Sequence, residues 1–416
     1  MSAPADRVPP TPFPWVPLLI LGFARFHGVA IELSPAGLLG DISRELDISL
    51  ASAGTLTTFY ALGNAILVLP LTAVALRFAR RPVLIVVMGA LVVSNVLVAV
   101  APSIVVADVG RFIGGASYAL ICTLFPAVAV RMAGPGNAGK AITVVFTATS
   151  LGTALGAPIA SLTGGAVGWR LVFLGAAALV LVAGALMSFT VPRFREAAHD
   201  RVPFLQAIRL PGVLRVALAW SLVMLAHFVV LTYIDAYLVD LGAPEYVTSI
   251  TLFLIGIGGI IGTLFIGQVS KRSVYAAIVV APITVAAGFV VLFLGGRSLV
   301  VVLVGVGLWG IGVAAAVVIY QQAILVTGRR APETATSVGV LLAQAGFAVG
   351  ATVGGITIET AGIRAVPLVA LAFVVISTVL ALTLRPTIHR AEQEERSERT
   401  HPSGSPTPSP VESDIV

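Results

Sequence analysis

Long apolar runs broken by short polar punctuation account for almost the whole chain. They fall near 15–37, 53–75, 82–101, 104–130, 139–162 and 170–191, then 213–238, 246–269, 274–295, 299–325, 334–358 and 364–385. A helix needs about 20 apolar residues to cross a bilayer, so each run predicts one membrane span and the total is twelve. The runs are continuous; the alternation of a membrane β-barrel is missing. Residues 1–14 are polar and proline-rich and predict a short disordered tail, not a targeting peptide, because no basic segment precedes the first apolar run. Residues 192–212 are the longest internal hydrophilic stretch and read as a connector. Residues 386–416, rich in charge, Ser and Pro, predict a second disordered tail.

The pattern also repeats. Gly152, Gly156, Ala157, Gly168 and Arg170 return as Gly346, Gly350, Ala351, Gly362 and Arg364, each pair 194 positions apart. One offset shared by five positions is the mark of an internal duplication. The expected fold is therefore all-α and membrane-integral: a six-helix bundle at 15–191, the connector, and a second six-helix bundle at 213–385. Within each copy small residues recur every four positions, on one helix face, where two backbones in lipid can approach closely. That stripe reads either as close packing alone or as part of a gate. Pro158, which removes a helix hydrogen bond and favours a bend, leans towards the gate.

Composition agrees and narrows the class. Hydrophobic residues make up 58% of the 416 and charged ones 11%, with a mean hydropathy of +1.03. A soluble domain does not carry that much apolar surface. The net charge of +6 sorts by loop. With the N-terminus inside, fourteen basic residues, among them Arg77, Arg80, Arg81, Arg131, Lys140 and Lys271, fall in inner loops; only Arg44, Arg170, Arg297 and Arg364 fall outside. This asymmetry predicts a multi-pass protein of the cell inner membrane with both termini cytoplasmic. Basic pairs at loop ends without interleaved aromatics argue against nucleic acid as a partner. A lone Cys122 excludes an intrachain disulfide and reads as an inert buried thiol. There is no phosphate-cradling G-x-x-x-x-G-K-[ST] loop and no H-E-x-x-H helix, so neither an enzyme, a metal site nor a bound cofactor is expected.

Ionisable groups at membrane depth are costly, and each is a functional candidate. Span 1 carries Arg25, His27 and Glu32; Arg25 and Glu32, seven apart, share nearly one face about 10 Å apart along the axis. Glu32 either lines a cavity or snorkels to the outer interface. Arg111 in span 4 either pairs with Asp108 three residues earlier or faces inward beside Tyr118, where a fixed cation would bias the charge state of a nearby carboxylate. In span 7, His227 and Asp235 are eight apart, about 80° around one helix, with Tyr233 between them. Asp235 is a second candidate carboxylate or a solvated outer residue, and His227 a ligand contact or a packing residue. Asn64, Tyr320, Gln321 and Gln322 add uncharged polarity, the last three nearer the inner interface. Glu32, Asp235 and Arg111 are thus candidates for proton coupling. Arg25, His27, Asn64, Tyr118, His227 and Tyr233 are candidates for the substrate cavity.

Several segments carry a family resemblance. TAVALRFARRPVL between spans 2 and 3 resembles the loop signature G-x-x-x-D-R-x-G-R-R of the major facilitator superfamily, keeping Arg77, Arg80 and Arg81, with Thr72, Leu76 and Ala79 in place of Gly, Asp and Gly. GVAIELSPAGLLGDISRELDIS after span 1 resembles the glutamate-bearing segment of the bacterial sugar-efflux and chloramphenicol-exporter type, with Gly40 for a final proline. RFIGGASYA resembles the arginine-bearing motif of span 4, with Arg111 in the arginine's role. LGTALGAPIASLTGG resembles the antiporter motif of span 5, and HFVVLTYIDAYL the span 7 of the same subgroup. The resemblance covers about 15–385. It implies a monomeric major facilitator fold, alternating access, and proton-coupled export of a drug, antibiotic or sugar-like molecule. Gating roles would then fall to Arg77, Arg80, Arg81, Gly152, Gly156, Pro158, Gly346 and Gly350. Uptake, coupled or facilitative, and a ligand sensor that moves nothing are the alternatives.

Overall fold

The computed structural model describes residues 13–134, 137–194, 209–244, 246–296, 298–329, 331–390 and 393. Most of both expected tails and of the connector lies outside these residues, as do Glu245, Arg297 and Arg330. Among the described residues twelve helices are long and apolar enough to cross a membrane. They are α1 (Trp15–Leu33), α2 (Leu50–Ala75), α3 (Arg80–Ala99), α4 (Ile104–Ala133), α5 (Ala138–Val167) and α6 (Trp169–Thr190), then α7 (Val213–Leu231), α8 (Tyr246–Arg272), α9 (Val274–Leu294), α10 (Leu299–Thr327), α11 (Pro332–Ala361) and α12 (Val366–Leu382).

Two of the apolar runs break into a span and a turn that leads to a second, short helix. After α1 the chain makes a 3₁₀ turn at Ser34–Gly37, where Pro35 cannot donate a helix hydrogen bond, and then a short helix Leu39–Glu45. After α7 it turns at Thr232–Tyr233 into a second short helix, Ile234–Asp240. The run 213–238 is therefore not one helix, and the 80° relation expected between His227 and Asp235 does not exist.

The duplication is visible in packing as well as in residues. A Cβ on Gly115 of α4 would run into the Tyr60 carbonyl of α2; 195 positions on, a Cβ on Gly310 of α10 would lie 2.8 Å from the Ile255 carbonyl of α8. Gly168 and Gly362 end α5 and α11 with φ of +84° and +82°, a conformation that L side chains rarely adopt. Beyond them, Arg170 pairs with Glu45 at 2.6 Å and Arg364 with Asp240 at 2.8 Å, each tying the start of a half's last span to its short helix. The glycine stripes pack inside their own halves. A Cβ on Gly152 would lie 2.8 Å from the Phe26 carbonyl, and one on Gly156 2.5 Å from Ala30 Cα; Gly346 and Gly350 press on the Ser221 and Leu225 carbonyls.

The halves meet through α2 against α11 and α5 against α8. On α11 the cross-half groups are Gln344, Ala348, Thr352, Gly355 and Glu359, which fall within about 80° of one face. Pro158 belongs to the other seam. Lacking an N–H, it frees the Ala154 carbonyl one turn earlier, and there Gly256 of α8 approaches: a Cβ on it would lie 2.6 Å from that oxygen. All the described cross-half hydrogen bonds lie from Gln344 towards the end of the bundle away from the chain termini. Towards the termini the same faces of α2, α5 and α8 expose Leu69, Thr147 and Ile260. Along these two seams the described residues are closed at the far end and exposed on the termini side, where a cleft opens.

Candidate polar site between the halves

The centre of the site is where α1 ends. A helix C-terminus presents unsatisfied carbonyls and a partial negative charge. Arg111 reaches it from α4: Nη1 donates to the Ile31 carbonyl at 2.8 Å, Nη2 to the Glu32 carbonyl at 3.0 Å, and Nε to the Leu56 carbonyl of α2 at 3.0 Å. The guanidinium also lies 4.2 Å from the centre of the Tyr60 ring, and Tyr60 donates its hydroxyl to the Gly28 carbonyl. Burying a lone cation costs several kcal/mol. Three charge-assisted bonds at about 1.5–3 kcal/mol each offset that cost and fix α1 to α2 and α4. Of the two readings of Arg111, the pair with Asp108 does not form, and the inward-facing one holds. Asp108 instead accepts both ways from Thr55 Oγ1, at 2.8 and 3.0 Å.

With its carbonyl held by Arg111, Glu32 is left to turn its carboxyl across the interface. Oε1 accepts from Nε2 of Gln344 on α11 at 3.3 Å, and both side chains are buried. Glu32 does not snorkel; its carboxyl sits where the two halves touch. Gln344 was not singled out from the sequence. The signal available was a lone amide in the middle of span 11, on the face that the repeat assigns to Ser150.

Arg25 lies on the Glu32 face of α1, nearer the open cleft. Its Nε donates to Thr149 Oγ1 at 2.9 Å, and the guanidinium sits 5.2 Å from the Tyr118 ring centre. Tyr118 in turn faces Tyr60, with ring centres 6.0 Å apart. Asn64 follows Tyr60 by one turn on α2 and is buried. Arg25, Glu32, Tyr60, Arg111, Tyr118, Thr149 and Gln344 thus make one polar patch in an otherwise apolar bundle, with Asn64 one helical turn beyond Tyr60.

Four sequence candidates lie elsewhere. His27 is on the opposite face of α1, bonded to the Phe23 carbonyl at 3.0 Å, and lines an apolar groove of about 280 Å³ among α1, α5 and α6. His227 is buried in the second half against Trp309, with ring centres 5.3 Å apart. Tyr233 is a wedge at the closed end: its ring fills a notch made by Gly54 of α2 and Gly354 and Gly355 of α11, and its hydroxyl donates to the Ala351 carbonyl at 2.8 Å. Asp235, half-buried at that same end, accepts from Thr248 at 2.7 Å beside Gly40. All four separations follow from helix phase or from the break at Thr232. Tyr320 is fully buried and bonded to Ser377 within the second half. At the termini side, Arg77 is exposed and Arg81 half-exposed. Arg80 is buried, its amide donating to the Phe194 carbonyl at 2.9 Å. Among the described residues no group of His, Cys, Asp and Glu could hold a metal ion.

Twelve spans in two repeated halves around a one-sided cleft match a known architecture, and residues 18–339 match the Major Facilitator Superfamily. The chain belongs to that family. It is a multi-pass membrane transporter of small molecules, not an enzyme. It is 30% identical over 380 residues to a chloramphenicol efflux pump of Mycobacterium tuberculosis, covering 86% of this chain and 91% of that one. To a purine ribonucleoside efflux pump of Salmonella paratyphi B it is 27% identical, over 84% and 88% of the two chains. Among solved structures, a bacterial homologue of the human lysosomal transporter Spinster, inward-facing and occupied, superposes with a TM-score of 0.75 at 15% identity, over 95% of this chain and all of that one.

Proposed function

We propose that this transporter exports a small organic molecule across the cell membrane in exchange for protons, acting as a monomer with both termini in the cytoplasm. The observation that carries the reading is the Glu32–Gln344 bond between the halves. With the loop charges setting the orientation, the open cleft faces the cytoplasm and the bond belongs to the inward-facing state. An ionised carboxyl accepts a stronger hydrogen bond than a neutral one, so an empty, ionised carrier stays latched. A proton on Glu32 weakens the latch; a substrate hydroxyl or amide that takes the carboxyl as its partner replaces it. Either event lets the halves rock, and because both act on one carboxyl they exclude each other. Exclusive binding with a block on empty reorientation is the logic of antiport. Arg111, bonded to the Glu32 carbonyl, holds that residue in place and does not itself relay the coupled proton. Asp235, already bonded at the closed end, is the weaker second candidate.

The efflux pumps among the relatives support export over uptake. The test is uptake of chloramphenicol or adenosine into inverted proteoliposomes under an imposed pH gradient. Glu32→Gln keeps the size and the hydrogen-bonding reach but not the titration. It should abolish accumulation while leaving counterflow exchange, and Asp235→Asn should accumulate as wild type does. Accumulation by Glu32→Gln equal to wild type refutes the assignment.

A further inference from the structure

We infer that Arg25 and Asn64 form a substrate-recognition subsite for the hydrogen-bond acceptors of a neutral molecule, and that the subsite excludes lipophilic cations. The inference rests on the transport reading above and names the substrate class of the same site. Arg25 is 9% exposed, and its Nη1 is buried with no hydrogen-bond partner; Nδ2 of Asn64, 1% exposed, is likewise without one. A buried donor left unpaired costs about 1–3 kcal/mol, more when charged. A protein keeps that cost where a ligand or ordered water repays it. Arg25 is also a cation without a contacting carboxylate. Glu32 is two turns away with Gln344 as its own partner, Asp108 is engaged by Thr55, and Arg111 is spent on three carbonyls.

The surroundings define what fits. The stem of Arg25 is anchored by Thr149 and its planar head is flanked by Tyr118, so the fork is held in place and not free to fold away. The same face of α1 ends in the carboxyl that meets Gln344 across the cleft. A ligand lying along this face would offer carbonyl, nitro, ring-nitrogen or ether acceptors to Arg25 and Asn64, stack on the Tyr118–Tyr60 pair, and give a hydroxyl or amide proton to Glu32. A permanent cation at the Arg25 end would meet an unscreened guanidinium in a medium of low dielectric.

The test is equilibrium binding to the full-length protein in nanodiscs, without any gradient, with chloramphenicol and adenosine as neutral acceptor-rich probes and tetraphenylphosphonium as the cation. Wild type should bind at least one neutral probe and bind the cation more weakly. Arg25→Met should weaken neutral binding at least tenfold and strengthen cation binding, Arg25→Gln should fall between, and Asn64→Leu should weaken neutral binding severalfold. Monodisperse elution and an unchanged melting temperature establish that a variant is folded; if Arg25→Met fails this, Arg25→Gln and Asn64→Leu carry the test. Unchanged neutral affinity in the folded variants, tighter binding of the cation by wild type, or no binding of either neutral probe overturns the inference. Because binding is read without protons moving, the subsite can fail while antiport through Glu32 stands, and the reverse.

Discussion

The closed end of the bundle depends on a backbone contact that one methyl group should break. A Cβ on Gly256 would lie 2.6 Å from the Ala154 carbonyl oxygen and 2.7 Å from Ala154 Cα. Both are backbone atoms of the opposite half, so no rotamer change relieves the overlap; α5 and α8 must separate by about 1 Å to reach ordinary contact. Overpacking of this kind costs about 1–3 kcal/mol. The cost falls on the state closed at the far end and spares the state in which that seam is open. At about 1.4 kcal/mol per tenfold, Gly256→Ala should raise the far-end-open population roughly 5- to 150-fold. The readout is modification of a cysteine at Ser161, whose hydroxyl accepts across the seam from Ser249 at 3.0 Å, in a Cys122→Ala background in nanodiscs. A maleimide should label it at least fivefold faster when Gly256→Ala is added. Gly259→Ala is the control, since its Cβ meets only Ala314 Cβ at 3.6 Å, and should change nothing. Equal labelling rates with and without Gly256→Ala would refute the reasoning that this seam is the far-end gate.

Gly156→Leu, whose Cβ would already lie 2.5 Å from Ala30 Cα, should insert in the membrane but lose transport, read as flux against surface-normalised expression; full activity would remove the packing argument. Arg170→Ala should lower thermal stability by about 2 kcal/mol, because Arg170 also donates to the Ala99 and Ala101 carbonyls. Arg364→Ala, at the matching but exposed pair, should leave the melting temperature unchanged. Cysteines at Phe78 and Ser103 in a Cys122→Ala background test the orientation: an impermeant thiol reagent on intact cells should reach only Ser103, and labelling of Phe78 would reverse the topology.

The spans, their number and the duplication were legible in the sequence because bilayer thickness and the helix rise together fix a length of apolar chain. The repeat survived even where residues changed: Glu45 and Asp240 are different acids 195 positions apart, yet each binds its half's matching arginine. Glu32, Arg111, Arg25, Asn64 and Tyr118 were legible too, since polar groups at membrane depth are rare enough to stand out. Their grouping was not. Which face of a helix points at which neighbour depends on phase and tilt, and a two-residue break at Thr232 was enough to carry Tyr233 and Asp235 from the expected cavity to the closed end. Tertiary structure alone decided that Arg111 would spend its charge on the carbonyls ending α1 rather than on Asp108. It alone brought Gln344 to Glu32 over 312 positions of chain. Apolar periodicity reports what the bilayer requires of each helix by itself; the contacts between halves arise only when two such helices are set against each other.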